Sequence, residues 1–150
     1  LSATKERIAL EKTLVQKELE LNSFIRDMIE KNSQIEILQN KLRSSKSINT
    51  KGLTEELKSK KFSASKNWLE FMFKFKQLHP TFLEKIKTSI PSISPTETKL
   101  SILVFLDLSS KEIGSLLGIS ATSVNQGKYR LKKKIGLNKY LKLYDFLQKI

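Results

Sequence analysis

The chain has 150 residues, 39% of them hydrophobic, and its 28 lysines and arginines against 15 acidic residues give a net charge of +13. This charge favours a polyanionic partner, nucleic acid first and an anionic membrane surface second. The absence of cysteine excludes disulfide scaffolds and thiolate metal sites, and it fits a reducing cytoplasm. Three prolines, five glycines and no long alternation of apolar and polar residues predict an all-α protein.

Residues 1–45 are predicted to form one long helix, because they contain neither proline nor glycine. Apolar residues recur at an unbroken spacing of seven, at Leu14, Leu21, Met28, Ile35 and Leu42. A seven-residue repeat keeps one seam of a helix facing a partner helix as the two supercoil. We therefore expect a coiled coil that dimerises through these five residues. The alternative is an amphipathic helix packed on its own domain.

Residues 46–93 are predicted to be a linker region with short packing helices. Its first part is rich in serine and lysine, breaks the seven-residue repeat and contains one short helix near residues 53–60. A broad apolar helix face follows, and a turn then places Pro80 at the first position of another short helix, which stops at Pro91. Because His79 is the only histidine and cysteine is absent, we expect no metal and no other cofactor.

The C-terminal part of the chain contains three consecutive helix-start signals. The sequences SPTE and SSKE, which begin at Ser94 and Ser109, are capping boxes, in which a serine and a glutamate three residues later cap a helix reciprocally. Gly118 is expected to end the second helix, Ile119 to fill the turn with its side chain, and Ser120 to cap the third helix. Two helices joined by a short glycine-containing turn and preceded by a packing helix predict a helix-turn-helix.

The last of these three helices, around residues 121–135, is the one expected to enter the major groove of DNA. Its inward face is expected to hold Val124, Leu131 and Ile135. The outward face then offers Thr122, Ser123, Asn125, Gln126, Tyr129, Arg130 and Lys133. Asparagine and glutamine make bidentate contacts to adenine, whereas hydroxyl and basic side chains favour phosphates. Gly114 and Gly127 are expected to serve close packing of the helices.

A resemblance to the four-helix DNA-binding domain of LuxR-type regulators rests on SPTETKLSILVFLDLSSKEIGSLLGISATSVNQGKYRLKKKIGL, most specifically on SPTE, SSKEIGSLLGIS, TSV and YRLKKKIGL. It implies a domain over residues 94–150 whose fourth helix covers 138–150. Carried over by position, the base-contacting residues are Asn125, Gln126 and Tyr129. The phosphate-contacting residues are Thr122, Ser123, Lys128, Arg130, Lys132, Lys133 and Lys134. Asp107 stands where many members have glycine, and aspartate tolerates the left-handed geometry of such a turn.

The segment WLEFMFKFKQLHPTFLEKIKTSIPSISPTE and the long N-terminal helix look similar to the C-terminal part of Bacteroidetes regulators with tetratricopeptide sensor repeats. Because the chain opens on Leu1 in mid-helix pattern, we expect the output fragment of a longer signalling protein, cytoplasmic or tethered to a membrane through upstream sequence. The predicted function is a transcription regulator that binds double-stranded DNA as a homodimer. The alternative is a signalling module whose coiled coil and helical domain bind protein partners; membrane-surface binding is a third interpretation. With no catalytic constellation in the sequence, neither an enzyme nor a small-molecule substrate is expected.

Overall fold

The computed structural model describes residues 2–44, 51–138 and 140–150, and the regular structure in these ranges is entirely helical. In chain order the helices are α1 (Ser2–Ser44), α2 (Lys51–Ser59), α3 (Ser65–Leu78), α4 (Phe82–Ser89), α5 (Pro95–Phe105), α6 (Ser110–Leu117), α7 (Ala121–Ile135) and α8 (Leu143–Lys149). The all-α class and the long N-terminal helix are thus confirmed. The predicted boundary between residues 45 and 46 lies outside the described residues. The chain divides into two compact units, Leu1–Pro80 and Thr81–Ile150.

The first unit is built on the packing of α1 against α3 and, over a shorter length, against α2. The buried face of α1 comprises Leu21, Ile25, Met28, Asn32, Ile35 and Gln39. This spacing of three and four residues keeps one side of the helix turned toward its neighbours. The side chains of Phe62, Phe71 and Phe75 are fully buried. The buried Asn32 Oδ1 accepts a hydrogen bond from the backbone N–H of Phe62 at 2.9 Å, so a polar group of the core is satisfied.

The second unit begins with α4, and Pro80 does not occupy the first position of this helix as the sequence predicted. The helix starts at Phe82, after Thr81 at the N-cap. The backbone N–H of Lys85 bonds to the carbonyl of Thr81 at 3.0 Å, so the first helical hydrogen bond is accepted after the proline and not before it. Pro80 therefore lies in the turn that precedes α4.

Helix α5 is the central element of the second unit, where it packs against α6, α7 and α8. Its buried residues follow one another along the chain, as is typical of a helix enclosed on most sides: Leu100, Ser101, Ile102, Leu103 and Val104. The hydroxyl of the buried Ser101 donates to the carbonyl of Glu97 at 2.8 Å. At the other end of the helix, the Gln148 amide donates to the carbonyl of Phe105 at 2.7 Å and joins α8 to α5.

Helix α8 is shorter than the segment 138–150 that the family resemblance implied, because it starts only at Leu143. The side-chain oxygen of Asn138 accepts a hydrogen bond from the backbone N–H of Tyr140 at 3.2 Å. Such a local turn offers the backbone an alternative to the first turn of a helix. Leu143 and Leu147 are buried and hold the short helix on the unit.

Candidate nucleic-acid interface

The ends of helices α5, α6 and α7 have the capping and turn geometry that the sequence predicted. Both capping boxes form, each with the serine hydroxyl 3.1 Å from the backbone nitrogen of the glutamate. The Ser120 hydroxyl accepts from the backbone N–H of Ser123 at 3.1 Å and so caps α7. Asp107 and Gly118 adopt left-handed φ angles of 63° and 71°, which confirms the expected turns before and after α6.

The turn between α6 and α7 is closed by the backbone and not by the side chain of Ile119, so this expectation was wrong. Ile119 is 44% exposed, while its backbone N–H donates to the carbonyl of Gly114 at 3.0 Å. A Cβ at Gly114 would lie 2.5 Å from the carbonyl oxygen of Ile119, and one at Gly127 would lie 2.8 Å from Cδ2 of Leu100 on α5. The two glycines therefore permit two different close approaches, one to the turn and one to α5.

Helix α7 presents one defined face to the solvent because its opposite face is anchored in the core. Val124 and Leu131 are fully buried, and Ile135 is half-buried. The predicted base-contacting residues, Asn125, Gln126 and Tyr129, are all exposed. One shallow depression is lined by Thr122, Asn125, Gln126, Tyr129 and Arg130. The structure thus brings the three predicted base-contacting residues together on one accessible surface.

A chain of hydrogen bonds links this surface to the start of α6. The Lys128 ammonium donates to the hydroxyl of Ser110 at 2.8 Å, and this hydroxyl donates to Oδ1 of Asn125 at 2.6 Å. We call Ser110, Asn125 and Lys128 the Ser110 network. Partial burial lowers the pKa of the Lys128 ammonium. From the sequence, Ser110 is expected only as part of a capping box; its contact with α7 has no local signal in the sequence.

Lys134, predicted to contact phosphate, is engaged within the second unit. Its ammonium lies 2.6 Å from a carboxylate oxygen of Glu97 and donates to the carbonyl of Ser92 at 3.0 Å. Burial raises the pKa of the Glu97 carboxyl, but hydrogen bonds from Lys134 and Ser94 outweigh this effect and leave the pKa below its ordinary value. This ion pair ties the end of α7 to the start of α5.

The other predicted phosphate-contacting residues differ in accessibility. Thr122, Arg130 and Lys133 are exposed, whereas Ser123, Lys128 and Lys132 are half-buried. The Lys133 ammonium lies 4.8 Å from the centroid of the Tyr129 ring, a distance typical of a cation–π contact. A basic group is therefore held beside a predicted base-contacting residue.

The five predicted dimerisation residues fall into different environments within a single chain. Leu21, Met28 and Ile35 are buried, Leu42 is half-buried, and Leu14 is 39% exposed. The buried residues of the seven-residue repeat match the alternative interpretation, in which α1 packs on its own domain. Four more apolar side chains in the first half of α1 are exposed: Ile8, Leu10, Val15 and Leu19.

Two further features concern cofactors and membranes. Among the described residues, no group of three or more histidine, cysteine, aspartate or glutamate side chains is placed to hold a metal ion, and no helix has the length and apolar character to cross a bilayer. Burial lowers the pKa of His79, with Glu18 acting in the opposite direction.

Comparisons of this chain with protein-family models, with curated proteins and with solved structures return no match.

Proposed function

We propose that the protein is a DNA-binding transcription regulator whose α7 enters the major groove as the second helix of a LuxR-type helix-turn-helix. The observation that supports this most is the outward face of α7, where Asn125, Gln126 and Tyr129 are exposed together while Val124 and Leu131 anchor the opposite face. Asparagine and glutamine side chains on an exposed helix are among the groups that contact base edges in the major groove.

The charge of the C-terminal segment supports the same proposal. From Ala121 to the end, the sequence has eight basic residues and one acidic residue, Asp145. Arg130 and Lys133 lie exposed on the face that holds the base-contacting residues. Basic side chains beside base-contacting ones hold a protein on the phosphate backbone and fix its position along the groove.

In this proposal two chains act together, because a pair of half-sites one helical turn apart requires two recognition helices. The first half of α1 offers exposed apolar residues for the contact, including Leu14, which belongs to the seven-residue repeat. The residues of the repeat that are already buried within their own chain would stay packed there in the dimer. The proposed dimer contact therefore lies in the N-terminal half of α1.

The proposal is tested by titrating the chain with duplex DNA at several salt concentrations. Each phosphate contact contributes about −0.9 to the slope of log affinity against log salt. The variant Lys133→Ala should lower the magnitude of this slope by about 1, whereas Lys58→Ala, an exposed lysine on α2, should leave it unchanged. A flat slope for the unmodified chain, or equal binding to dextran sulfate and DNA, would show that the proposal is wrong.

A protein-interaction module is the second candidate, and one observation favours it. On α3, Leu69 and Phe73 are 66% and 67% exposed and lie one helical turn apart. Adjacent exposed apolar side chains are typical of surfaces that bind another protein. Alanine at Asn125, Gln126 and Tyr129 separates the two functions, because it should abolish sequence discrimination by a DNA-binding protein and leave a protein contact on α3 intact.

A further inference from the structure

The side chain of Asn125 is held in one orientation by a residue on another helix. Its Oδ1 accepts a hydrogen bond from the Ser110 hydroxyl at 2.6 Å, and the oxygen of that hydroxyl accepts one from the Lys128 ammonium at 2.8 Å. An ammonium group can only donate, so the Ser110 oxygen accepts at this contact and its hydroxyl proton stays free for another acceptor. The hydroxyl proton is then available to the amide oxygen of Asn125, and no hydrogen bond within the described residues engages the amide nitrogen.

We infer that the Ser110 network makes Asn125 a hydrogen-bond donor toward the bases, so that it selects the acceptor edges of guanine or thymine over adenine. This inference rests on the proposed function and goes beyond it, because it names the base class that one residue of α7 selects. Ser110 does not touch the base in this account; it is a positioning residue that acts through Asn125.

The chemistry of the base edges explains the selection. An asparagine that binds adenine uses both ends of its amide, with Oδ1 accepting from the N6 amino group and the nitrogen donating to N7. In this protein Ser110 on α6 engages one of the two lone pairs of Oδ1, whereas no hydrogen bond among the described residues engages either N–H of the amide nitrogen, so the donor end is the one fully available to the groove. Guanine presents N7 and O6 as acceptors, and thymine presents O4. Two-point binding of adenine would need Oδ1 to accept from Ser110 and from the N6 amino group at once, or the amide to turn away from Ser110.

Four substitutions separate positioning from simple stabilisation. Ser110→Ala removes the donor and frees Oδ1, so the preference should move toward adenine by on the order of tenfold, the value of one hydrogen bond. Ser110→Thr keeps the hydroxyl and should keep the preference. Asn125→Asp replaces the amide nitrogen with an acceptor and should move the preference toward cytosine, whose N4 amino group donates. Ser115→Ala makes the same serine-to-alanine change elsewhere on α6 and leaves the Asn125 contact in place.

The experiment is a selection of the full chain and its variants against random duplex DNA, with sequencing of the bound pool. The variant Asn125→Ala identifies the base position at which this residue acts, because the preference there should disappear. At that position we expect guanine or thymine with the unmodified chain, with Ser110→Thr and with Ser115→Ala. Ser110→Ala should enrich adenine and Asn125→Asp cytosine. A purely structural role for Ser110 would weaken binding to all sequences equally and leave the base preference unchanged.

The outcomes distinguish this inference from the proposed function. If the bound pool of the unmodified chain shows no enriched sequence, the proposed function fails and the inference fails with it. If a sequence is enriched but the Asn125 position prefers adenine, or Ser110→Ala leaves its preference unchanged, the inference is wrong and the proposed function stands. An enriched sequence that Asn125→Ala leaves unaltered at every position likewise overturns the inference alone.

Discussion

The two interior glycines of the second unit should respond differently to replacement by alanine. In the middle of a helix, Gly→Ala is favourable by about 1 kcal/mol when there is room for the methyl group. A Cβ at Gly114 would lie 2.5 Å from the backbone oxygen of Ile119, against the 3.4 Å at which ordinary contact begins. A Cβ at Gly127 would meet only Cδ2 of Leu100, the end of a flexible side chain, at 2.8 Å.

The magnitudes follow from what must move in each case. At Gly114 the turn between α6 and α7 has to shift, so the cost should approach the upper end of the roughly 1–3 kcal/mol found for overpacking. After the gain in helix propensity, we expect Gly114→Ala to lower the free energy of unfolding by about 2 kcal/mol. At Gly127 a change of the Leu100 rotamer makes room, so the cost and the gain should nearly cancel, to within about 0.5 kcal/mol.

The assay is urea unfolding of the full chain, followed by the amide NMR signals of α6 and α7, which report on the second unit directly, whereas Trp68 belongs to the first unit. If the free energy of unfolding falls by about 2 kcal/mol per molar urea, Gly114→Ala should lower the urea concentration at the unfolding midpoint by about 1 M, while Gly127→Ala should leave this midpoint nearly unchanged. An unchanged midpoint for Gly114→Ala, or a larger loss for Gly127→Ala, would refute the close backbone approach at the turn.

Three further predictions concern other parts of the molecule. Because the folded-state pKa of Glu97 is lowered, the stability that this carboxylate contributes should be complete above about pH 5 and should be lost as the pH falls through the lowered pKa. In urea titrations from pH 6 to 3, the variant Lys134→Met should lose less stability on acidification than the unmodified chain. An equal loss of stability in both proteins would contradict the ion pair. In analytical ultracentrifugation at tens of micromolar, the chain should sediment as a dimer. The variant Leu14→Glu should shift it toward the monomer, while Thr13→Glu should not. A monomeric unmodified chain would exclude the dimer. Asn32→Ala should lower the unfolding free energy of the first unit by about 1–3 kcal/mol, because a buried backbone N–H loses its acceptor; an unchanged urea midpoint by tryptophan fluorescence would contradict this.

Much of the local structure of the second unit could be predicted from the sequence, because it depends on interactions between neighbouring residues. A capping box needs only a serine and a glutamate three residues apart, and both boxes form as expected at Ser94 and Ser109. The left-handed turns at Asp107 and Gly118 likewise follow from residues that tolerate a positive φ. The buried face of α7 follows from a helical period of 3.6 residues.

The remainder depends on contacts between distant parts of the chain, for which the sequence has no local signal. The seven-residue repeat of α1 indicates that one face is covered, but it does not identify the helix that covers it. In the structure Met28 and Ile35 are buried within a single chain, where α1 packs on α3 and α2. The link from Ser110 to Asn125 spans 15 residues and depends on the angle at which α6 meets α7 and on two side-chain rotamers.

The central claim, that the outward face of α7 binds DNA, is tested most directly by NMR. Amide signals of the ¹⁵N-labelled full chain are recorded while a duplex from the selection is added. We predict that the largest shifts fall in α7, at and around Asn125, Gln126 and Tyr129, and at the start of α6 near Ser110. Shifts concentrated in α1 to α3, or none beyond those that an unrelated polyanion produces, would contradict the account.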